Sequence, residues 1–142
     1  MLPYEHFIYG FFVAAGIHYF FPQITVLGAA IIFIVSWGID VDHYLFYVFK
    51  KRDLNLRRAY HFFDGQMAVY RKQGKHYCAP LCIFHTAESL LAMIILSFYN
   101  RYVFYVLLGA LLHFVGDFYH TFIVVKLPRI RRYTITSYLL KK

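Results

Sequence analysis

The sequence predicts an all-α membrane protein, a four-helix transmembrane bundle with an interfacial amphipathic helix between helices 2 and 3. Three observations predict it. The 142 residues are 61% hydrophobic and 15% charged, with 16 Phe and 14 Tyr, too apolar for an ordinary soluble domain. Four segments, residues 7–21, 23–49, 77–99 and 102–125, are apolar on every side, as expected where lipid and neighbouring helices share the perimeter. The cations fall almost wholly between segments 2 and 3 and after segment 4. Residues 1–142 are read as one integral membrane domain.

Segment 1 is short for a full span, and the Met1 to His6 start lacks the positive region of a secretory signal, so this segment is expected to stay in the mature protein. Pro22 separates it from segment 2, which is long enough to tilt or to break near Gly38. Between segments 2 and 3, Tyr60, Phe63, Met67 and Tyr70 recur at i, i+3, i+7 and i+10, flanked by Arg57, Arg58, Arg71 and Lys72. That pattern predicts a helix over about 57–72 lying flat at the headgroup layer, although an ordinary basic loop would serve topology equally well. Pro80 sits in the expected first turn of segment 3, where its missing N–H is harmless, and Pro128 follows segment 4 ahead of a basic tail over 126–142.

The net charge of +8 would suggest nucleic acid in a soluble protein. Here the placement of the cations reports topology instead, and no nucleic-acid partner is expected. Eight Lys and Arg lie in 50–76 and six in the tail, against Arg101 alone in the opposite turns, which places both termini in the cytoplasm of a plasma (inner) membrane. Cys78 and Cys82, one helical turn apart, fit small buried hydrophobes better than a thiolate pair, and no disulfide framework is expected.

Of the seven carboxylates, Asp40, Asp42, Glu88 and Asp117 lie in or at the ends of apolar segments, each close to a histidine. A bare carboxylate in hydrocarbon costs roughly 2.5–3.5 kcal/mol on insertion scales, so such groups are usually paired, metal-bound or catalytic. Asp40-Val41-Asp42-His43 ends segment 2, His85 and Glu88 open segment 3, and His113, Asp117 and His120 form an i, i+4, i+7 stripe on segment 4. With His6 at the start of segment 1, all fall toward the cytoplasmic leaflet. Only His18 lies at the far end, where it reads as interfacial or packed. Asp42 points away from Asp40 and His43 on a regular helix, so either it serves a second ion or a break at Gly38 redirects it. Polar pairs that merely tie helices together are the plain alternative, at roughly 0.6 kcal/mol per contact. Imidazole and carboxylate donors favour Zn²⁺, with Mn²⁺ or Fe²⁺ also suited, and the donor supply fits two divalent ions.

A histidine near the start, Asp-x-Asp-His at 40–43, Phe84-His85-Thr86, and Gly109-x-x-x-His113-x-x-x-Asp117 resemble, in order, the small inner-membrane proteins of bacteria and archaea described as membrane-bound, metal-dependent hydrolases, one member of which is under LexA control. The resemblance implies a multi-pass hydrolase with His6, Asp40, Asp42, His43, His85, His113 and Asp117 as metal ligands. The chain departs from it with Tyr44 in place of a proline, and with Ala79-Pro80 in place of a His-Arg pair whose histidine His76 or His61 would replace. His-x-x-x-Asp on a helix is also similar to the zinc ligands of the helical phospholipase C and nuclease P1 group, which cleave phosphoesters. The expected activity is therefore hydrolysis of an ester, foremost a phosphoester of a membrane lipid, at the cytoplasmic leaflet. In that scheme Glu88 or Asp42 takes a proton, His120 gives one to the leaving oxygen, and Arg57 and Arg58 hold the headgroup. A haem-binding electron-transfer bundle and a divalent-cation carrier are the alternatives, and a homo-oligomer is compatible with so thin a bundle.

Overall fold

A computed structural model describes residues 3–73, 82–120 and 123 of the chain. The described residues are all-helical, with no strand: α1 Pro3–Phe20, α2 Val26–Gly38, α3 Val41–Lys51, α4 Leu56–Gln73, α5 Ala87–Ser97 and α6 Arg101–Tyr119, with a 3-10 turn at Ile83–His85. The expected start of helix 3 with His76, Cys78 and Pro80, the end of helix 4, and the 126–142 tail lie outside the described residues.

Segment 2 is not one regular helix. It divides into α2 and α3, because Gly38 gives little support to helix propagation and the chain turns through Ile39 and Asp40. Helix 3 also starts later than the sequence suggests. Thr86 is its N-cap, accepting the Ser89 N–H on its hydroxyl at 3.2 Å, so α5 runs only from Ala87 and His85 precedes it in the 3-10 turn. His85 and Glu88 therefore do not share the face of one continuous helix. The remaining caps follow the same chemistry, with Thr25 accepting from the Gly28 N–H at 3.2 Å and Asn100 from the Tyr102 N–H at 2.8 Å.

The chain forms two compact units, one of Met1–Asp40 with Phe84–Lys142 and one of Val41–Ile83. In the first, α2 packs against both α1 and α6, and α5 packs against α6. Ala14, Ile24, Ile32 and Tyr105 form its apolar centre. Glycine allows the close approach: a Cβ on Gly109 would stand 2.7 Å from the Ile32 carbonyl oxygen and from Val35 Cβ, and one on Gly10 would overlap the Ser36 hydroxyl. Outward, the same unit presents Phe12, Phe20, Ile34, Leu96 and Phe118, a surface suited to hydrocarbon.

In the second unit α3 packs against α4 across a tight corner. Arg52 adopts a left-handed backbone with φ 52° at the end of α3. Asp53 then accepts from the Asn55 N–H at 2.9 Å and the Tyr47 hydroxyl at 2.8 Å, and Asn55 caps α4 by accepting the Arg58 N–H at 3.0 Å. The helix expected over 57–72 is present as α4. Of its aromatic stripe, Tyr60 is exposed and Phe63 half-buried, while the Met67 and Tyr70 side chains lie outside the described set.

Two described helical stretches, Val26–Lys51 across the break and Arg101–Tyr119, are long and apolar enough to cross a membrane, with mean hydropathy 1.6 and 1.5. α5, with 11 residues, is apolar but spans only about 17 Å, short of a hydrocarbon core of about 30 Å.

Candidate metal centre

Five of the nine residues expected at the site meet within the first unit, and His113 is their hub. Its ring is fully buried on α6, one turn beyond the Gly109 contact that seats α6 against α2. The Nδ1–H donates to the Ser36 carbonyl at 2.9 Å, in the last turn of α2, where helical carbonyls run out of partners within the helix. That bond fixes the ring and leaves Nε2 of the neutral imidazole with its lone pair toward the cluster. His85 Nε2 lies 3.0 Å from it, Asp40 Oδ1 3.6 Å and Asp117 Oδ2 3.6 Å. Asp40 Oδ1 is also 3.5 Å from His85 Nε2.

His6 completes the group from α1. Its ring stacks on that of His113 with centroids 4.1 Å apart, and its Nε2–H donates to Asp117 Oδ1 at 3.2 Å. The break after Gly38 brings Asp40 to the same place from α2, and the 3-10 turn brings His85. Four separate stretches of chain thus converge. His6, Asp40 and His113 each offer a donor atom within 4.8 Å of the others, and so do His85, His113 and Asp117.

Donor spacing decides whether these residues suit an ion. Bonds of 2.0–2.2 Å meeting at 90–109° put neighbouring ligand atoms roughly 2.8–3.6 Å apart; the His113 Nε2 separations from His85, Asp40 and Asp117 run from 3.0 to 3.6 Å, and the His6, Asp40 and His113 donors lie within 4.8 Å of one another. Nδ1 of His6 is a second observation: it is buried, on a side chain 1% exposed, and has no hydrogen-bond partner among the described residues, and a buried polar atom of this kind calls for an ion or a water. Three imidazoles and two carboxylates fit Zn²⁺, Mn²⁺ or Fe²⁺ and suit Mg²⁺ less.

The other expected residues are described within their own elements. Asp42 and His43, in the first turn of α3, belong to the second unit, where Asp42 Oδ1 bonds His43 Nδ1 at 2.9 Å. Glu88 stands half-buried in the first turn of α5, and His120 is the C-cap of α6, its N–H on the Gly116 and Asp117 carbonyls. Arg57 and Arg58 are exposed on α4, Arg58 within 3.4 Å of Asp53. His18 is a packing residue in the last turn of α1, its Nδ1 2.6 Å from the Ile24 carbonyl oxygen. Cys82, set aside by its spacing from Cys78, lies 3.5 Å from both ring nitrogens of His43. Ser36 also escaped the sequence reading, because its contribution is a backbone oxygen.

Comparison with protein-family models, curated proteins and solved structures finds no match to this chain. What fold and site define directly is a class: an all-helical protein with two helical stretches able to cross a membrane and buried His/Asp/Cys groups able to hold a metal ion.

Proposed function

We propose that the chain is a membrane-embedded, metal-dependent hydrolase that cleaves a phosphoester of a lipid at the cytoplasmic leaflet. The observation that carries this reading is the gathering of two donor groups, His6 with Asp40 and His85 with Asp117, about the buried His113 from α1, the α2 break, the turn before α5, and α6. A divalent ion in that place supplies Lewis acidity toward an ester oxygen and acidifies water.

The protein side of the chemistry follows from the donors. His113, pinned by the Ser36 carbonyl, would hold the ion through Nε2, with Asp117 balancing its charge and bonded to His6. Glu88, three residues after His85, would accept a proton from water. His120, one turn beyond Asp117, gives a proton to the leaving oxygen. Arg57 and Arg58, exposed on the amphipathic α4, offer paired donors suited to a lipid phosphate. An apolar cleft lined by Tyr4, Phe7 and Ile8 of α1 and Trp37 of α2 suits an acyl chain. A lipid ester is favoured over a soluble one by this cleft and by the aromatic exterior. The short motifs add the resemblance to membrane-bound hydrolases, and the cation partition orients four spans with both termini inside.

The test is hydrolysis of phospholipids in mixed micelles by purified protein supplied with Zn²⁺ or Mn²⁺. Product release that falls to background in His113→Ala and Asp117→Asn is the expected result. Failure to cleave any phospholipid ester with these ions, or undiminished turnover in both folded variants, contradicts the proposal.

A further inference from the structure

The corner joining α3 to α4 lies wholly within the second unit, and it holds out large apolar side chains where a helix connection is ordinarily polar. Phe49 is 81% exposed, Leu54 74% and Leu56 69%. Lys50, Lys51 and Arg52, exposed as well, follow Phe49 directly. We propose that this corner is a membrane-seating wedge, in which Phe49, Leu54 and Leu56 enter the bilayer while Lys50, Lys51 and Arg52 hold the headgroups of anionic phospholipids. The wedge does not rest on the hydrolase reading.

Charge complementarity identifies the partner. Between 50 and 58 the one acid is Asp53, whose carboxylate already accepts from the Tyr47 hydroxyl at 2.8 Å and the Asn55 N–H at 2.9 Å, so the cations set the character of the corner. Cations beside an anionic leaflet are drawn to it over a Debye length, about 8–10 Å at ordinary salt. The apolar tips add burial that a soluble polyanion could not supply. The lysines are placed in advance: Lys50 Nζ stands 5.3 Å from the Phe46 ring centroid and Lys51 Nζ 5.3 Å from that of Phe62, with both side chains still exposed. The backbone is prepared for lipid as well. The Tyr44 hydroxyl donates to the Leu54 carbonyl at 2.7 Å, and the Arg52 N–H to the Val48 carbonyl at 2.8 Å. Leu54 can therefore enter hydrocarbon without stripping its own carbonyl of a partner. The rings of α4 are spent on α3 instead, Phe62 against Tyr47 at 5.5 Å and Phe63 against His43 at 5.6 Å between centroids. Lys51 also closes Val26–Lys51, a stretch apolar enough to cross a membrane, and the corner follows where such a stretch would meet the headgroup layer.

The test uses the full chain carrying Cys78→Ser and Cys82→Ala, spin-labelled at Leu54→Cys or, separately, Leu56→Cys, in nanodiscs of phosphatidylcholine with or without phosphatidylglycerol. The ratio of oxygen to nickel-chelate accessibility at both sites should be at least about twofold higher with phosphatidylglycerol present. It should fall to the level seen in phosphatidylcholine alone in about 1 M salt, where the Debye length is about 3 Å, and equally in the triple variant Lys50→Gln, Lys51→Gln, Arg52→Asn, whose Asn tolerates the left-handed backbone at φ 52°. In a second arm that leaves both cysteines in place, a diazirine-bearing residue at position 49 should form lipid adducts on illumination. Labels open to the nickel chelate in both lipids, or the same immersion whatever the lipid charge, overturn the proposal, as does the absence of lipid adducts at position 49. Dipolar broadening that disappears on dilution with unlabelled protein would assign the corner to a second copy of the chain and overturn it as well.

Discussion

At the scale of single residues, His113 is the group on which the first cluster turns, because its two nitrogens do different work. Nδ1 is tied to a main-chain carbonyl and Nε2 faces the other donors. His113→Ala should remove an ion and activity together, whereas His18→Ala, at the far end of α1, should leave both intact and cost only its bond to Ile24. Metal analysis and turnover on the two variants check this. Asp53 offers a different test, outside the spans. The Asn55 N–H, then the Tyr47 hydroxyl, and the nearby Arg58 guanidinium hold its carboxyl below the ordinary value of 3.8. A carboxyl lowered on folding contributes stability that is present above its unfolded pKa and is lost as pH falls through the lowered folded value. Asp53→Asn should therefore flatten the acid limb of stability below about pH 4, read by thermal unfolding in detergent against pH.

Residue identities at the first cluster were legible because histidines and acids are costly in apolar segments, so their recurrence in such segments carried information. The partners that orient them were not legible. The Ser36 carbonyl has no side-chain signature, and Cys82 was judged by its spacing to Cys78 when its neighbour in space is His43, 39 residues away.

At the scale of elements, the break between α2 and α3 matters most. The sequence marked Gly38 as the weak point and left two readings of Asp42 open, a second ion or a redirected chain. In the structure the turn places Asp40 with His6 and His113 in the first unit, and Asp42 begins α3 in the second. Apolar patterning alone could not separate α2 from α3, since hydropathy continues across the turn. It failed likewise at α5, where the Thr86 cap shortens the helix and frees His85 from helical geometry. Thr86→Ala should cost about 1 kcal/mol of stability and, by loosening the turn that carries His85, weaken metal binding; thermal unfolding with and without Zn²⁺ separates the two effects. Helix contacts can be tested by glycine. Gly109→Ala places a Cβ against the Ile32 backbone and should destabilise by about 1–3 kcal/mol, while Gly16→Ala, with open space around it, should be neutral or stabilising by about 0.5–1 kcal/mol. Equal melting temperatures for both would refute this packing.

Across the whole molecule, an apolar exterior goes together with a set of buried imidazoles and acids and with cations gathered in two stretches. Two helical stretches satisfy the length and hydropathy of a span directly. The four-span topology is the reading that puts fourteen cations on one side and Arg101 on the other. Reporter fusions after residue 60 and after residue 142 should report the cytoplasm, and one after Arg101 the opposite side; a fusion at 60 reporting the outside would reverse the orientation and the leaflet of the substrate.

The central claim is that His6, Asp40, His85, His113 and Asp117 hold a divalent ion in this fold, and elemental analysis of protein purified without chelator tests it most directly. Wild type should carry at least one equivalent of Zn²⁺, Mn²⁺ or Fe²⁺ that is lost in His113→Ala while helicity is retained. Wild type free of metal even after incubation with these ions, or a His113→Ala protein with the same content as wild type, would contradict it.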